Sequence, residues 1–136
     1  MENSATTNSN DVSRDLLEFI DDSPSPYHAV ASCTMRLKRA GFRPLDESQS
    51  WSLRVGDKAY VVRDDGSLVA FILGTDHPQD SGFRVLGAHT DSPNFRIKPS
   101  PELTQNGYQQ LSAEPYGGVL YSTWMDRDLS VAGRFF

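Results

Sequence analysis

Four kinds of feature are scarce or missing in this 136-residue sequence, and each absence argues against a class of protein. Cys33 is the only cysteine, which excludes an intrachain disulfide and favours a reducing compartment. A net charge of -5 argues against binding to nucleic acid or to anionic membranes, which need basic surfaces. The N-terminus has no basic stretch followed by an apolar one, so we identify no secretory signal. No apolar run approaches the roughly 18 residues of a transmembrane helix. We therefore expect a cytoplasmic protein without nucleic-acid or membrane partners.

The first third of the chain has the pattern of a polar tail followed by two helices. Residues 1–10 are rich in Ser, Thr and Asn, and we expect them to be disordered. Apolar residues recur at helical spacing between residues 11 and 20, and Pro24 ends this helix because the residue before a proline avoids helical dihedrals. A second helix is predicted to start near Pro26 and to end before Gly41.

The middle of the chain changes to the alternating pattern of strands. Residues 58–63 and 67–73 flank Asp64-Asp65-Gly66, which predicts a β-hairpin with Gly66 supplying a positive φ. A polar loop is predicted at residues 75–82, followed by a buried strand at Phe83–Ala88. Shorter strand-like pieces follow, at residues 95–98, 108–113, 119–124 and 131–136.

A histidine and a carboxylate follow the predicted Phe83–Ala88 strand. Residues two apart on a strand point to the same side, so the side chains of His89 and Asp91 can meet. A metal-bound histidine usually donates its second ring N–H to an oxygen acceptor, and strand ends in α/β sheets are where sites form. The pattern favours His89 as a metal ligand with Asp91 behind it, although the spacing alone leaves a purely structural role open.

Several multi-residue motifs accompany this pair in a fixed order. They are Ser23-Pro24-Ser25-Pro26-Tyr27-His28-Ala29-Val30, His89-Thr90-Asp91-Ser92-Pro93, Arg96-Ile97-Lys98-Pro99, Glu114-Pro115-Tyr116-Gly117-Gly118 and Trp124-Met125-Asp126-Arg127-Asp128-Leu129. Together they resemble the aspartyl aminopeptidase family of zinc metallopeptidases, from about Leu16 to Gly133. Asn94-Phe95 and Met125 depart from the usual family residues, and neither departure touches a presumed ligand. Family members are several times longer, so we expect this chain to be an N-terminal fragment.

The resemblance implies an α/β fold class. Residues 11–94 would form the N-terminal part of a zinc-aminopeptidase-type catalytic domain, with two helices, a β-hairpin and a central strand. Residues 95–136 would begin an inserted β-rich oligomerisation domain, cut short at the end of the chain.

The resemblance also implies a chemistry. It assigns His89 to zinc and Asp91 to orienting that ligand, in an enzyme with two divalent ions that act together on the attacking water and the scissile carbonyl. The remaining ligands and the general base would lie beyond residue 136, so we expect the fragment alone to be inactive. The complete enzyme would be a homo-oligomer that removes unblocked, acidic N-terminal residues from peptides.

Two other functions remain open at this stage. The chain could be a noncatalytic interaction or structural fragment, or part of another His-x-Asp metallohydrolase such as a deacylase. The two other histidines, His28 and His77, lack ligand spacing relative to His89. We therefore expect His28 to pack or cap a turn and His77 to be solvated.

Overall fold

Two helices open the structure, as the sequence predicts. The computed structural model describes residues 9–135, and helix α1 spans Ser9–Asp21. The expectation of a disordered tail over residues 1–10 is wrong for its last two residues, which form the first turn of α1. The rest of that tail lies outside the described residues. Ser13 Oγ donates to the Ser9 carbonyl at 3.0 Å, so this serine bonds back to the preceding turn of its own helix.

Helix α2 spans Pro26–Arg39 and has a distinct signal at each end. Ser25 precedes it with extended backbone, and Pro26 occupies the first turn, where its missing N–H has no intrahelical role. After the last turn, Gly41 adopts a φ of +84°. Its N–H donates to the Lys38 carbonyl at 3.0 Å. The next residue's N–H donates to the Leu37 carbonyl, also at 3.0 Å, so the helix ends in a Schellman motif, as the glycine predicts.

A three-stranded sheet follows in the order β1-β2-β3. Strand β1 is Arg43–Pro44 and pairs in parallel with β2, Lys58–Arg63. Strand β3, Ser67–Ile72, pairs antiparallel with β2, with Arg63 opposite Ser67. The predicted hairpin is therefore confirmed, while β1 is a short addition that the pattern did not reveal.

The turn between β2 and β3 differs from the prediction in one respect. The positive φ values belong to Asp64 (50°) and Asp65 (54°) rather than to Gly66. The Gly66 N–H donates to the Arg63 carbonyl at 3.1 Å, which makes the two aspartates the central residues of a type I′ turn. Aspartate tolerates this conformation better than most residues because its short polar side chain can hydrogen-bond locally.

The buried residues of this region come from α2 and β2. Helix α2 contacts β3, and the buried apolar side chains are those of Ala29, Val30, Ala59, Tyr60 and Val61. Along β2 three consecutive residues are buried, which is the pattern of a strand covered on both faces.

Strands β4 and β5 form a long antiparallel hairpin. Strand β4 spans Asn94–Gln105 and β5 spans Tyr108–Tyr116. They are joined by Asn106 and Gly107, whose φ values of 52° and 81° suit a two-residue hairpin turn. The pairing register shifts between Ile97 and Glu102. The strands predicted at 95–98 and 108–113 are thus parts of one hairpin.

The predicted strand Phe83–Ala88 is wrong for this structure. Residues 83–88 have no regular secondary structure, and Phe83 and Val85 are 82% exposed. A strand needs a partner for its backbone groups, and none of the strands in the described range pairs with this segment.

Three smaller predictions also need correction. The polar loop at 75–82 contains a short helix, α3, at Pro78–Ser81. The piece predicted as a strand at 119–124 contains a 3₁₀ helix at Tyr121–Thr123. Residues 131–135 form no strand, and Phe136 lies outside the described residues. In the 119–124 segment local turn bonds take the place of strand pairing, such as the bond from the Trp124 N–H to the Tyr121 carbonyl at 3.0 Å.

The chain is a mixed α/β fold that divides into two compact units. The first comprises residues up to Thr90 together with the segment from Gly133, and the second comprises Asp91–Ala132. The assignment of residues 11–94 and 95–136 to two functional domains stays a prediction. Within residues 9–135, no helix has the length and apolar character needed to cross a membrane.

Candidate functional site

The predicted site residues lie in a short segment without regular secondary structure. His89 is exposed, whereas Asp91 is partly buried. Because the preceding strand is not formed, the inference that the two side chains share one side of a strand has no support from local backbone geometry. The roles of His89 and Asp91 therefore stay predictions, and the contacts around the segment become informative.

Thr90 attaches this segment to the turn between β2 and β3. Its Oγ1 donates to the Gly66 carbonyl at 3.0 Å. The turn is itself held by Arg134, whose guanidinium donates to the Asp64 carbonyl and to Asp65 Oδ2, both at 3.0 Å. The same guanidinium lies 4.7 Å from the ring centroid of Tyr27, within the range of a cation–π contact. The residue next to His89 is thus bonded to a well-supported turn.

Asp91 accepts a hydrogen bond from a tyrosine 25 residues further along the chain. The Tyr116 hydroxyl donates to Asp91 Oδ2 at 2.5 Å, a short bond of the kind expected when the acceptor is ionised. This bond raises the pKa of Tyr116 because the carboxylate favours the protonated phenol. The negative charge of Asp91 adds to the same effect on that pKa.

Arg96 covers the ring of Tyr116. Its guanidinium carbon lies 3.4 Å from the ring centroid, and planar guanidinium groups stack favourably on aromatic faces. The register of the hairpin explains the contact: Tyr116 pairs with Asn94, and Arg96 follows Asn94 by two residues on the same strand face. Asp91, Arg96 and Tyr116 therefore form one cluster at the base of the β4–β5 hairpin.

The other two histidines each contact the start of a helix. His28 Nδ1 lies 2.7 Å from Ser25 Oγ at the beginning of α2. His77 is exposed, and its Nδ1 accepts a bond of 3.3 Å from the Gln79 N–H at the beginning of α3. The contact of His28 agrees with the turn-capping role predicted for it, and the exposure of His77 agrees with the prediction that it is solvated, whereas its bond to Gln79 was not predicted.

The donor chemistry near His89 suits zinc only in part. Imidazole and carboxylate are ordinary zinc ligands, and a site needs three or four of them. Among residues 9–135, however, no three His, Cys, Asp or Glu side chains lie close enough to hold an ion together. The described residues do not assemble a complete zinc site, and no reaction step through a metal follows from them.

The sequence alone does not identify Tyr116 as the partner of Asp91, nor Arg96 as the residue that stacks on Tyr116. The motifs around Arg96 and Tyr116 are visible in the sequence, but neither motif indicates that the two side chains meet. The signal that links them is the Asn106-Gly107 turn, which fixes the hairpin register. Because the two strands pair from that turn onward, the end of β5 lies beside the start of β4.

Comparison with known proteins identifies relatives over nearly the whole chain. The sequence pattern of the family described as "Aminopeptidase I zinc metalloprotease (M18)" matches residues 19–136. The probable M18 family aminopeptidase 2 of Pseudomonas aeruginosa PAO1 is 51% identical over 124 residues. That alignment covers 91% of this chain and 29% of the relative. The chain thus spans about three tenths of the length of the curated relatives that it matches.

Solved structures agree with the sequence comparison. The S. cerevisiae mApe1 dodecamer has a TM-score of 0.78 and 34% identity, covering 89% of this chain and 28% of that one. Aminopeptidase I from Borrelia burgdorferi has a TM-score of 0.70 over 92% of this chain and 32% of its own. At 23% identity, the second likeness concerns the fold alone. The family match covers the predicted site residues and both hairpins, and the chain belongs to the M18 family of aminopeptidase I zinc metalloproteases.

Proposed function

We propose that this chain is the N-terminal part of a zinc-dependent aminopeptidase that releases N-terminal residues, preferably acidic ones, from peptides. The observation that carries the proposal is the M18 family match across residues 19–136. The printed description of that family names zinc and proteolysis. Acidic specificity comes from the resemblance of the sequence motifs to aspartyl aminopeptidases.

In this proposal His89 contributes one zinc ligand and Asp91 orients its ring. His89 is exposed, and it lies next to Thr90, which is bonded to the β2–β3 turn. A carboxylate behind a ligating histidine fixes its tautomer and raises its basicity. When bound, a zinc ion would act as a Lewis acid toward the peptide carbonyl. A pair of divalent ions in the complete enzyme is part of the same proposal.

The proposal also includes the assembly of the protein and its location. The mApe1 relative forms a dodecamer, and we infer that the complete cytoplasmic protein is a homo-oligomer to which residues 95–136 contribute. Light scattering of the complete gene product in solution tests this, and a monomeric mass would contradict it.

Zinc affinity and peptidase activity of His89→Ala test the proposed function. The complete gene product that contains this chain is loaded with zinc and assayed on Asp-, Glu- and Leu-anilide substrates. We expect His89→Ala to lower zinc affinity at least about tenfold and to lose most activity, because a metal ligand is removed. His77→Ala is the matched control, since His77 is an exposed histidine that holds the short helix α3.

Three results would contradict parts of this proposal. Wild-type zinc affinity in His89→Ala would remove His89 from the ligand set. Cleavage of N-acylated amino acids in preference to free N-termini would favour a deacylase. Zinc-dependent peptidase activity in the 136-residue chain by itself would show that the expected inactivity of this piece is wrong.

A further inference from the structure

We propose that Tyr116 is a positioning residue for Asp91, with Arg96 holding the tyrosine ring in place. This inference rests on the proposed function, in which Asp91 orients the His89 ligand. The proposed function gives roles only to His89 and Asp91. The positioning role would also explain the motifs around Arg96 and Tyr116.

The hydrogen bond from Tyr116 limits the motion of the Asp91 carboxylate. The carboxylate of an aspartate rotates easily because the torsion that turns it is broad rather than three-fold. A hydroxyl at 2.5 Å from Oδ2 distinguishes one oxygen of Asp91 from the other and limits this rotation. An orienting carboxylate has to present a fixed oxygen to its histidine, so limiting the rotation of Asp91 bears directly on its proposed role.

The backbone places the segment of Tyr116 next to the segment of Asp91. Gly117, the residue after Tyr116, has a φ of +69°, a conformation that favours glycine. A Cβ added to Gly117 would lie 3.6–3.7 Å from three atoms of Pro93. The two chain segments that carry Tyr116 and Asp91 therefore lie side by side, within the distance of ordinary van der Waals contact for an added side-chain atom.

Arg96 restrains the face of the Tyr116 ring. Its guanidinium carbon lies 3.4 Å from the Tyr116 ring centroid, while the phenol oxygen of the same ring is bonded to Asp91. A planar guanidinium restrains a ring face in a way that the compact ammonium of lysine does not. The ring of Tyr116 is thus held by contacts at two places, its edge and its face.

The experiment measures zinc affinity, kcat and KM of Tyr116→Phe in the complete, zinc-loaded gene product. We expect zinc affinity or kcat to fall about tenfold, the size of effect that outer-shell partners of metal ligands have. We expect KM and the thermal midpoint to remain close to wild type, because phenylalanine keeps the ring. Tyr108→Phe is the control, since Tyr108 is 71% exposed at the far end of the hairpin.

A double-variant cycle separates positioning from a merely structural role. If Tyr116 acts through Asp91, Tyr116→Phe has no further effect on zinc affinity once Asp91→Ala, which removes the acceptor of the tyrosine hydroxyl, is present. Arg96→Lys is expected to reduce zinc affinity in the same direction by a smaller factor. Losses that multiply in the double variant, or unchanged zinc affinity and kcat in Tyr116→Phe, would overturn the inference.

His89→Ala, measured in parallel, distinguishes a failure of the positioning role of Tyr116 from a failure of the proposed function. Lost zinc affinity in His89→Ala with wild-type behaviour of Tyr116→Phe overturns the positioning role and leaves the proposed function standing. Unchanged zinc affinity in His89→Ala overturns the proposed function and this inference together.

Discussion

At the scale of single residues, the most informative contacts are hydrogen bonds between side chains and distant parts of the chain. Tyr116 reaches Asp91, and Thr90 reaches the Gly66 carbonyl. Neither contact follows from sequence spacing, because the partners are 25 and 24 residues apart. The types of the candidate residues, His89 and Asp91, were predictable from their motif, whereas these partners required the three-dimensional fold.

Thr90→Val tests whether the hydroxyl bond to Gly66 stabilises the segment. Valine has nearly the same shape, so the variant removes the donor and leaves the Gly66 carbonyl without it. We expect the free energy of unfolding to fall by about 1 kcal/mol, the usual worth of such a bond. Urea denaturation measures it, with Thr104→Val at an exposed position of β4 as the control. Equal stability of both variants would contradict the prediction.

At the scale of elements, the sequence predicted best where local chemistry decides the structure. Helix α2 has a proline in its first turn and Gly41 just past its end, and these are position-specific signals. The β2–β3 hairpin follows from alternation around a short turn. The Phe83–Ala88 strand failed because its formation depends on pairing partners, and an apolar run does not say where those partners are.

Gly41→Ala tests the helix end in isolation from packing. No atom lies within 4 Å of an added Cβ at Gly41, and the same is true of Gly74. Only Gly41 of these two has a positive φ, +84°. We expect Gly41→Ala to lower the free energy of unfolding by about 1 kcal/mol and Gly74→Ala to leave it nearly unchanged. Equal effects in urea denaturation would mean that the left-handed conformation carries no strain.

At the scale of the whole molecule, exposed ion pairs link distant segments. Arg63 donates to both carboxylate oxygens of Glu47, at 2.8 and 2.5 Å, and Arg36 does the same to Asp15, at 2.7 and 2.6 Å. In each case the arginine hydrogen bond is the main cause of a lowered carboxyl pKa. The two helices and the β2–β3 hairpin were predictable from periodicity and the α/β class from the family resemblance, but these ion pairs were not predictable from either.

Stability is expected to fall in acid as these carboxylates are protonated. The pKa of Glu47 is below its ordinary value of 4.5 in the folded chain. Its contribution to stability is therefore present above about pH 4.5 and is lost as the pH falls through the folded value. Urea midpoints at pH 7 and pH 3 measure this change. Arg63→Gln should reduce the pH dependence, whereas Arg84→Gln, which removes the same charge from an exposed segment, should not.

The bond from Thr90 to the β2–β3 turn has a consequence for the order of folding. Strands β2 and β3 are joined by only three residues, and a hairpin of this kind closes within about 1–10 μs. The contact between Thr90 and Gly66 closes a much longer loop, and its acceptor exists in the right place only after the turn has formed. Local contacts generally precede such distant ones. We therefore expect the segment that contains His89 to attach to the β2–β3 turn late in folding, after the hairpin has formed.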